Sequence, residues 1–154
     1  MKNVIYYFSG TGNSLKIARD LTTGLEETEL VSVAQGLERP HGDEARRIGL
    51  VFPVYMYRPP RIVVDFIRTL KPGAYFFVVA TFGGNAGNAY ATLRRHFRAS
   101  GLKLSAAFGV RMPSNYAAFG PPPALEEREK IFAQAREKVN EILDSVGGER
   151  VYFE

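Results

Sequence analysis

Residues 8–14, Phe-Ser-Gly-Thr-Gly-Asn-Ser, carry the side chains of this chain best suited to hold an anion. They follow the apolar run 4–7 and precede an amphipathic segment at 15–25. A strand, a polar loop and a helix in this order form an anion site from backbone N–H groups and the positive end of a helix dipole. Glycines let the backbone close on a phosphate without a Cβ in the way. The candidate phosphate-binding residues are Ser9, Gly10, Thr11, Gly12, Asn13 and Ser14.

The composition of this loop separates it from two common phosphate loops. It contains no lysine or arginine, so it is not a Walker A loop, and its spacing departs from G-x-G-x-x-G. The pattern Ser-x-Thr-Gly-x-Ser after a first strand resembles that of flavodoxins, most closely the domain found fused to a bacterial-type ferredoxin module. The resemblance implies that the loop holds the phosphate of FMN. Taken alone, the loop is also compatible with a serine-rich turn that binds nothing.

Strand-like and helix-like runs alternate along the chain, which predicts an α/β fold with a parallel sheet. Four strand-like runs are continuously apolar, as expected of strands covered on both faces, and the weaker second run is expected at an edge. The predicted strands are 3–8, 29–33, 47–54, 75–82 and 104–111, and the predicted helices are 14–25, 60–70, 88–100 and 125–146. Gly101 is expected to end the third of these helices. The resemblance implies a three-layer flavodoxin-like fold over 1–154, one domain with helices on both faces of a five-stranded sheet in the order 2-1-3-4-5.

In a sheet of this order, ligands bind beyond the carboxyl ends of strands one, three and four. The loop after strand three offers two aromatic rings and a methionine that can lie against a flat ring. The loop after strand four is rich in glycine, and Gly84 is expected to approach the ring edge where a Cβ cannot fit. Each loop alone is compatible with simple packing or a flexible connector, but their common position favours a ligand site. The candidate ring-binding residues are Pro53, Val54, Tyr55, Met56, Tyr57, Thr81, Phe82, Gly83, Gly84, Asn85 and Gly87.

The composition excludes several functional classes. The chain has no cysteine, which rules out disulfides, a thiolate nucleophile and an Fe–S cluster within these residues. His41 and His96 lie far apart without a carboxylate pattern, so we assign no metal site and no catalytic residue. No apolar run is long enough to span a bilayer and no signal pattern opens the chain, so we expect a cytoplasmic protein.

Basic residues are concentrated in one part of the chain. The formal net charge is +4, and the stretch from Arg58 to Arg111 holds nine lysines and arginines against one acid, Asp65. No nucleic-acid motif accompanies them, and a solvated basic face is one interpretation. The interpretation we favour is a surface for an acidic electron-transfer protein such as a ferredoxin. The resemblance has two departures: ferredoxin-fused relatives carry a cysteine-rich module that these 154 residues lack, and electron-shuttling flavodoxins are typically acidic.

These observations predict an FMN-binding, flavodoxin-like electron-transfer protein. The alternative on the same fold is an FMN-dependent reductase of quinones or other small acceptors. An interaction domain that has lost its flavin is a third possibility, which the intact hydroxyl loop argues against. The piece Met-Pro-Ser-Asn-Tyr after strand five also resembles the family, and its Asn115 and Tyr116 are expected either to border the flavin or to cap the sheet.

Overall fold

Parallel strands and helices alternate along the chain in the computed structural model, which describes residues 2–39, 43–114 and 120–154. The strands are β1 (Asn3–Tyr7), β2 (Thr28–Ser32), β3 (Arg47–Pro53), β4 (Tyr75–Phe82), β5 (Leu104–Arg111) and β6 (Tyr152–Phe153). The helices are α1 (Asn13–Gly24), α2 (Val33–Glu38), α3 (Arg61–Ile67), α4 (Ala89–Ala99) and α5 (Leu125–Gly147). No helix in the described ranges has the length and apolar character needed to cross a membrane.

The strand order is β2-β1-β3-β4-β5-β6, and all the neighbouring pairs are parallel. The predicted flavodoxin-like order of the first five strands is confirmed, with β2 at the edge. The structure adds β6, which pairs with β5 through Ala106 and Ala107. Tyr152 of β6 stacks on the Phe108 ring with 5.1 Å between ring centroids. A strand of two residues has no alternation to detect, which is why the sequence pattern did not predict it.

Helices cover both faces of the sheet, as predicted. Successive strand side chains point to opposite faces, so Val4 and Tyr6 of β1 join one buried cluster while Ile5 joins the other. Helices α1 and α5 supply Ile17 and Ile142 to the Ile5 cluster. Helices α2, α3 and α4 pack on the other face, where buried residues of all three helices contact the Val4 cluster. Four of the helices lie within three residues of their predicted ends.

Helix α2 was not predicted because it is too short to show a helical period. Its start is nevertheless encoded by a capping box, in which the Ser32 hydroxyl accepts from the Gln35 N–H at 3.1 Å and the Gln35 side chain accepts from the Ser32 N–H at 3.3 Å. The predicted end of α4 is confirmed, because Gly101 follows the C-cap Ser100 with a φ of +71°.

The parallel order brings the carboxyl ends of β1, β3 and β4 to one edge of the sheet. The ladder continues one residue past two of these strands, because the Phe8 N–H donates to the Val51 carbonyl at 3.0 Å and the Val54 N–H donates to the Thr81 carbonyl at 2.9 Å. All three predicted ligand loops therefore leave the sheet side by side.

Candidate functional site

The loop after β1 turns at Gly12, the N-cap of α1, which has a φ of +99°. This left-handed conformation favours glycine. The Gly12 N–H donates a hydrogen bond of 3.0 Å to the Ser9 hydroxyl and so closes the loop on itself. A glycine N-cap offers no side-chain acceptor and the first turn of α1 holds no acidic residue. The positive end of this helix therefore suits an external anion, and Gly10 and Thr11 are exposed beside it.

The two side chains that begin α1 tie the loop to its neighbours. The Asn13 amide nitrogen donates to the Pro113 carbonyl at 3.0 Å, just after β5. Ser14 is only 1% exposed, and its hydroxyl shares a hydrogen bond of 2.8 Å with the Thr81 hydroxyl at the end of β4. These two predicted phosphate-loop residues therefore also fix the loop in position against the carboxyl edge of the sheet.

The loop after β3 forms a tight turn at residues 55–58. Tyr55 and Arg58 exchange two backbone hydrogen bonds of 2.9 Å. The two residues between them, Met56 and Tyr57, have φ values of +48° and +63°, the arrangement of a type I′ turn. Tyr55, Met56 and Tyr57 are exposed, Met56 to 80%. Pro53 ends β3 opposite Thr81, and the partly buried Val54 packs on the core instead of lying at the surface.

The loop after β4 has its conformationally demanding glycine at Gly87. Its φ is +54°, and a Cβ there would lie 2.5 Å from the Tyr57 Cβ. Asn85 shapes the turn by accepting a hydrogen bond of 2.9 Å from the Gly87 N–H. Gly84 lies in open space: its backbone is outside the left-handed region and no described atom comes within 4 Å of a Cβ placed there, so its approach to the ring edge stays a prediction. Only a bound ligand could make that position intolerant of a side chain.

Three contacts join the three loops into one surface. Gly10 lies beneath Tyr55, since a Cβ at Gly10 would fall 2.6 Å from the tyrosine oxygen. The Ser14–Thr81 hydrogen bond connects the first loop to the third, and the approach of Tyr57 to Gly87 connects the second to the third. The structure thus brings the three groups of candidate residues together.

Several neighbours of this surface were not singled out as site residues by sequence reasoning. The Phe8 ring meets Tyr55 edge-on at 6.4 Å. Arg111, at the end of β5, donates from Nε to the Gly83 carbonyl at 3.2 Å, and Ser114 lies against the same glycine. Phe82, a predicted ring-binding residue, packs on the core. The expectations for Asn115 and Tyr116 lie outside the described residues.

Comparison with known proteins places this fold among flavodoxin-like structures. No protein-family model and no curated protein matches the sequence. The chain is similar to the structure of a flavodoxin from the domain Archaea, with 15% identity over 92% of this chain and 99% of that one and a TM-score of 0.58. It is similar to the two-electron reduced flavodoxin of Megasphaera elsdenii, with 19% identity, coverage of 87% and 98%, and a TM-score of 0.59. The FMN-dependent NADH-azoreductase of Bacillus anthracis, solved in complex with FMN, has 9% identity, coverage of 95% and 99%, and a TM-score of 0.60. At these identities the likeness shows the fold: the chain has the flavodoxin-like α/β architecture.

Proposed function

We propose that this chain is an FMN-binding electron-transfer protein whose cofactor lies on the surface formed by the three loops. The observation that carries the proposal is the start of α1 at Gly12, where a helix N-terminus without an acidic side chain opens beside the exposed Thr11. That donor set suits a phosphate dianion. Loop 9–14 would bind the phosphate, with Thr11 donating from its hydroxyl.

The exposed side chains of the 55–58 turn fit the remainder of the cofactor. Tyr55 and Tyr57 offer flat apolar faces and Met56 a flexible one, and each is at least 47% exposed. The loop 83–87 faces this turn through Gly87 and leaves open space at Gly84. These residues would hold the ring and exclude water from one of its faces, while FMN itself supplies the one- and two-electron chemistry.

The structural neighbours support the same assignment, because they include flavodoxins and a reductase solved in complex with FMN. We propose a cytoplasmic single-domain carrier over 1–154, whose partner is an acidic electron-transfer protein such as a ferredoxin. The concentration of basic residues between Arg58 and Arg111 supports an acidic partner.

A second candidate function is an FMN-dependent reductase of quinones or other small acceptors. The similarity to an FMN-dependent NADH-azoreductase favours it. Steady-state oxidation of NADH by a quinone distinguishes the two. An enzyme turns over many equivalents per flavin, whereas a carrier shows slow or no turnover.

The phosphate loop gives the sharpest test of FMN binding. We expect Thr11→Val to weaken FMN by about one to two orders of magnitude, because a hydrogen bond to a charged group contributes roughly 1.5–3 kcal/mol. Riboflavin, which lacks the phosphate, should bind the variant as it binds the wild type. Titration of the apoprotein followed by visible absorbance measures both affinities. Equal losses for the two ligands would place the phosphate elsewhere, and no flavin binding by the wild type would remove the proposal.

A further inference from the structure

A groove of about 950 Å³ runs between α3 and α4, beside the 55–58 turn. Met56 and Tyr57 line part of it, at the same turn that we propose to border the flavin ring. Its walls carry side chains from the two helices, and Arg61 and Arg95 stand one on each wall. A molecule that fills this groove therefore lies next to the proposed redox centre.

The groove is strongly basic. Four guanidinium groups line it against one carboxylate, that of Asp65. The Asp65 carboxylate forms ion pairs with both Arg61, at 3.8 Å, and Arg68, at 3.3 Å. Arg58 and Arg95 form no ion pair with another described residue. Four arginines and one aspartate give the lining a formal net charge of +3 from these residues. Positive potential of this kind attracts a complementary acidic surface.

The structure divides the basic stretch of the sequence into groove residues and others. Arg94 lies over the Phe153 ring at 4.4 Å, and Lys71 pairs with Asp43 at 2.6 Å. Arg111 donates to the Gly83 carbonyl. These three cations make their contacts outside the groove. Lys103 directly precedes β5, at the amino ends of the strands and opposite to the three loops. Only part of the basic stretch is therefore placed to meet a molecule near the flavin.

We propose that this groove binds an acidic polypeptide segment, which in the context of the proposed function belongs to the electron-transfer partner. Exposed methionine and tyrosine beside several arginines is the composition enriched at protein interfaces. Arginines of both helices line the same open groove, which suits a chain segment carrying several carboxylates.

The test uses FMN-loaded protein and a fluorescently labelled peptide of eight glutamates, with binding followed by fluorescence anisotropy. The variant R61E/R95E reverses one charge on each wall of the groove. The matched control K2E/K103E changes the net charge by the same amount. Its two residues precede β1 and β5, at the amino ends of the strands and away from the groove. Lys2, Arg61, Arg95 and Lys103 are all exposed, so neither variant disturbs the core.

We expect the groove variant to bind the peptide at least about tenfold more weakly than the control, which should stay within about twofold of the wild type. Raising the salt from about 0.01 M to 0.1 M should weaken wild-type binding, since the Debye length falls from about 30 Å to 10 Å. Equal loss of peptide affinity in both variants would show that binding depends only on net charge, which would overturn the proposal. So would tight, arginine-dependent binding of NADPH to a protein that does not bind the peptide, because the groove would then be a nucleotide-phosphate site. Visible absorbance of each preparation reports flavin binding separately, so a failure of the proposed function is distinguishable from a failure of this surface.

Discussion

Ser14 and Thr81 are buried, and each hydroxyl has the other as a hydrogen-bond partner at 2.8 Å. Removing one hydroxyl leaves the other buried without this partner, which costs more than the bond itself contributes. Because Ser14 lies in the first turn of α1 and Thr81 near the end of β4, the bond ties the loop after β1 to the loop after β4.

We therefore predict non-additive losses for Ser14→Ala and Thr81→Val in the apoprotein. Each single change should lower the free energy of unfolding by about 1–3 kcal/mol. The double variant should lose less than the sum, with a coupling energy of about 1 kcal/mol. Urea unfolding of the three variants and the wild type gives this cycle. Strictly additive losses would mean that the two hydroxyls do not support each other.

Residue types could be predicted here, but their contacts could not. The serine, threonine and glycine pattern of 9–14 predicted a phosphate loop, and that role stays a prediction. The approach of Ser14 to Thr81 depends on the register of β1, β3 and β4, which no local pattern encodes. The same limit applies to Gly84 and Gly87: both are glycines in one loop, and no local pattern shows that Gly87 is the one with a positive φ that lies against Tyr57.

Strand β6 is held to the sheet through the side chain of Glu154. Its carboxylate accepts a hydrogen bond of 2.8 Å from the Gly109 N–H of β5 and pairs with Lys138 of α5. The Tyr90 hydroxyl of α4 lies at the same place, because a Cβ at Gly109 would meet both it and the carboxylate. One side chain therefore connects a strand and helices from both faces of the sheet.

At the scale of this element, we predict that Glu154→Ala lowers the free energy of unfolding by about 1–2 kcal/mol, since it leaves the Gly109 N–H without its acceptor. Glu141→Ala is the matched control. Glu141 also pairs with Lys138, but at 3.9 Å and with its side chain 71% exposed, so its loss should cost under about 0.5 kcal/mol. Urea unfolding measures both, and equal effects would argue that Glu154 is only a surface partner of Lys138.

Elements were predictable in proportion to their length. The stripe of Ile131, Ala135, Val139 and Ile142 predicted α5, and continuous apolar runs predicted β4 and β5 to the residue. Helix α2 and strand β6 are too short to repeat a pattern. The 55–58 turn was not predicted for a different reason: Met56 and Tyr57 are not the residue types that indicate a type I′ turn.

Buried and half-buried tyrosines on both faces of the sheet make the whole molecule sensitive to alkaline pH. Burial, with smaller contributions from Glu29 and Asp43, raises the pKa of Tyr6 to about 12. Burial also raises the pKa of Tyr75 and Tyr90, to which Glu149 and Glu154 respectively contribute. In the unfolded chain these groups ionise near pH 10. The stabilisation is therefore fully present below about pH 10 and is lost as the pH rises through the higher pKa values of the folded protein.

We predict that the free energy of unfolding falls steadily between about pH 10 and 12. Tyr90→Phe removes one of the shifted groups and should make the fall less steep. Urea unfolding at a series of pH values, with the wild type and the variant side by side, checks this. Identical slopes would show that Tyr90 ionises alike in the folded and unfolded chains.

The distribution of charge over the molecule was only partly predictable. The sequence shows that residues 58–111 are basic. Which arginines meet in one groove depends on the rotation of α3 and α4 about their axes and on the distance between them. Arg94 and Arg95 are neighbours in sequence, yet one lies over Phe153 and the other lines the groove.

Under the proposed function, the turn at Met56 and Tyr57 is a compromise between stability and flavin binding. Two bulky L-residues hold positive φ values where Asn-Gly is the favoured pair, and each costs about 1–2 kcal/mol of backbone strain. We expect M56N/Y57G to raise the free energy of unfolding by about 1 kcal/mol or more and to weaken FMN binding, as measured by urea unfolding and flavin titration. Glu27→Gly, at a φ of +48° far from the loops, should leave flavin affinity within about twofold. An unchanged free energy of unfolding in the double variant would show that the turn carries no backbone strain. The expected gain, together with weaker FMN binding, would mean that the residues suited to the cofactor leave this protein less stable than its fold allows.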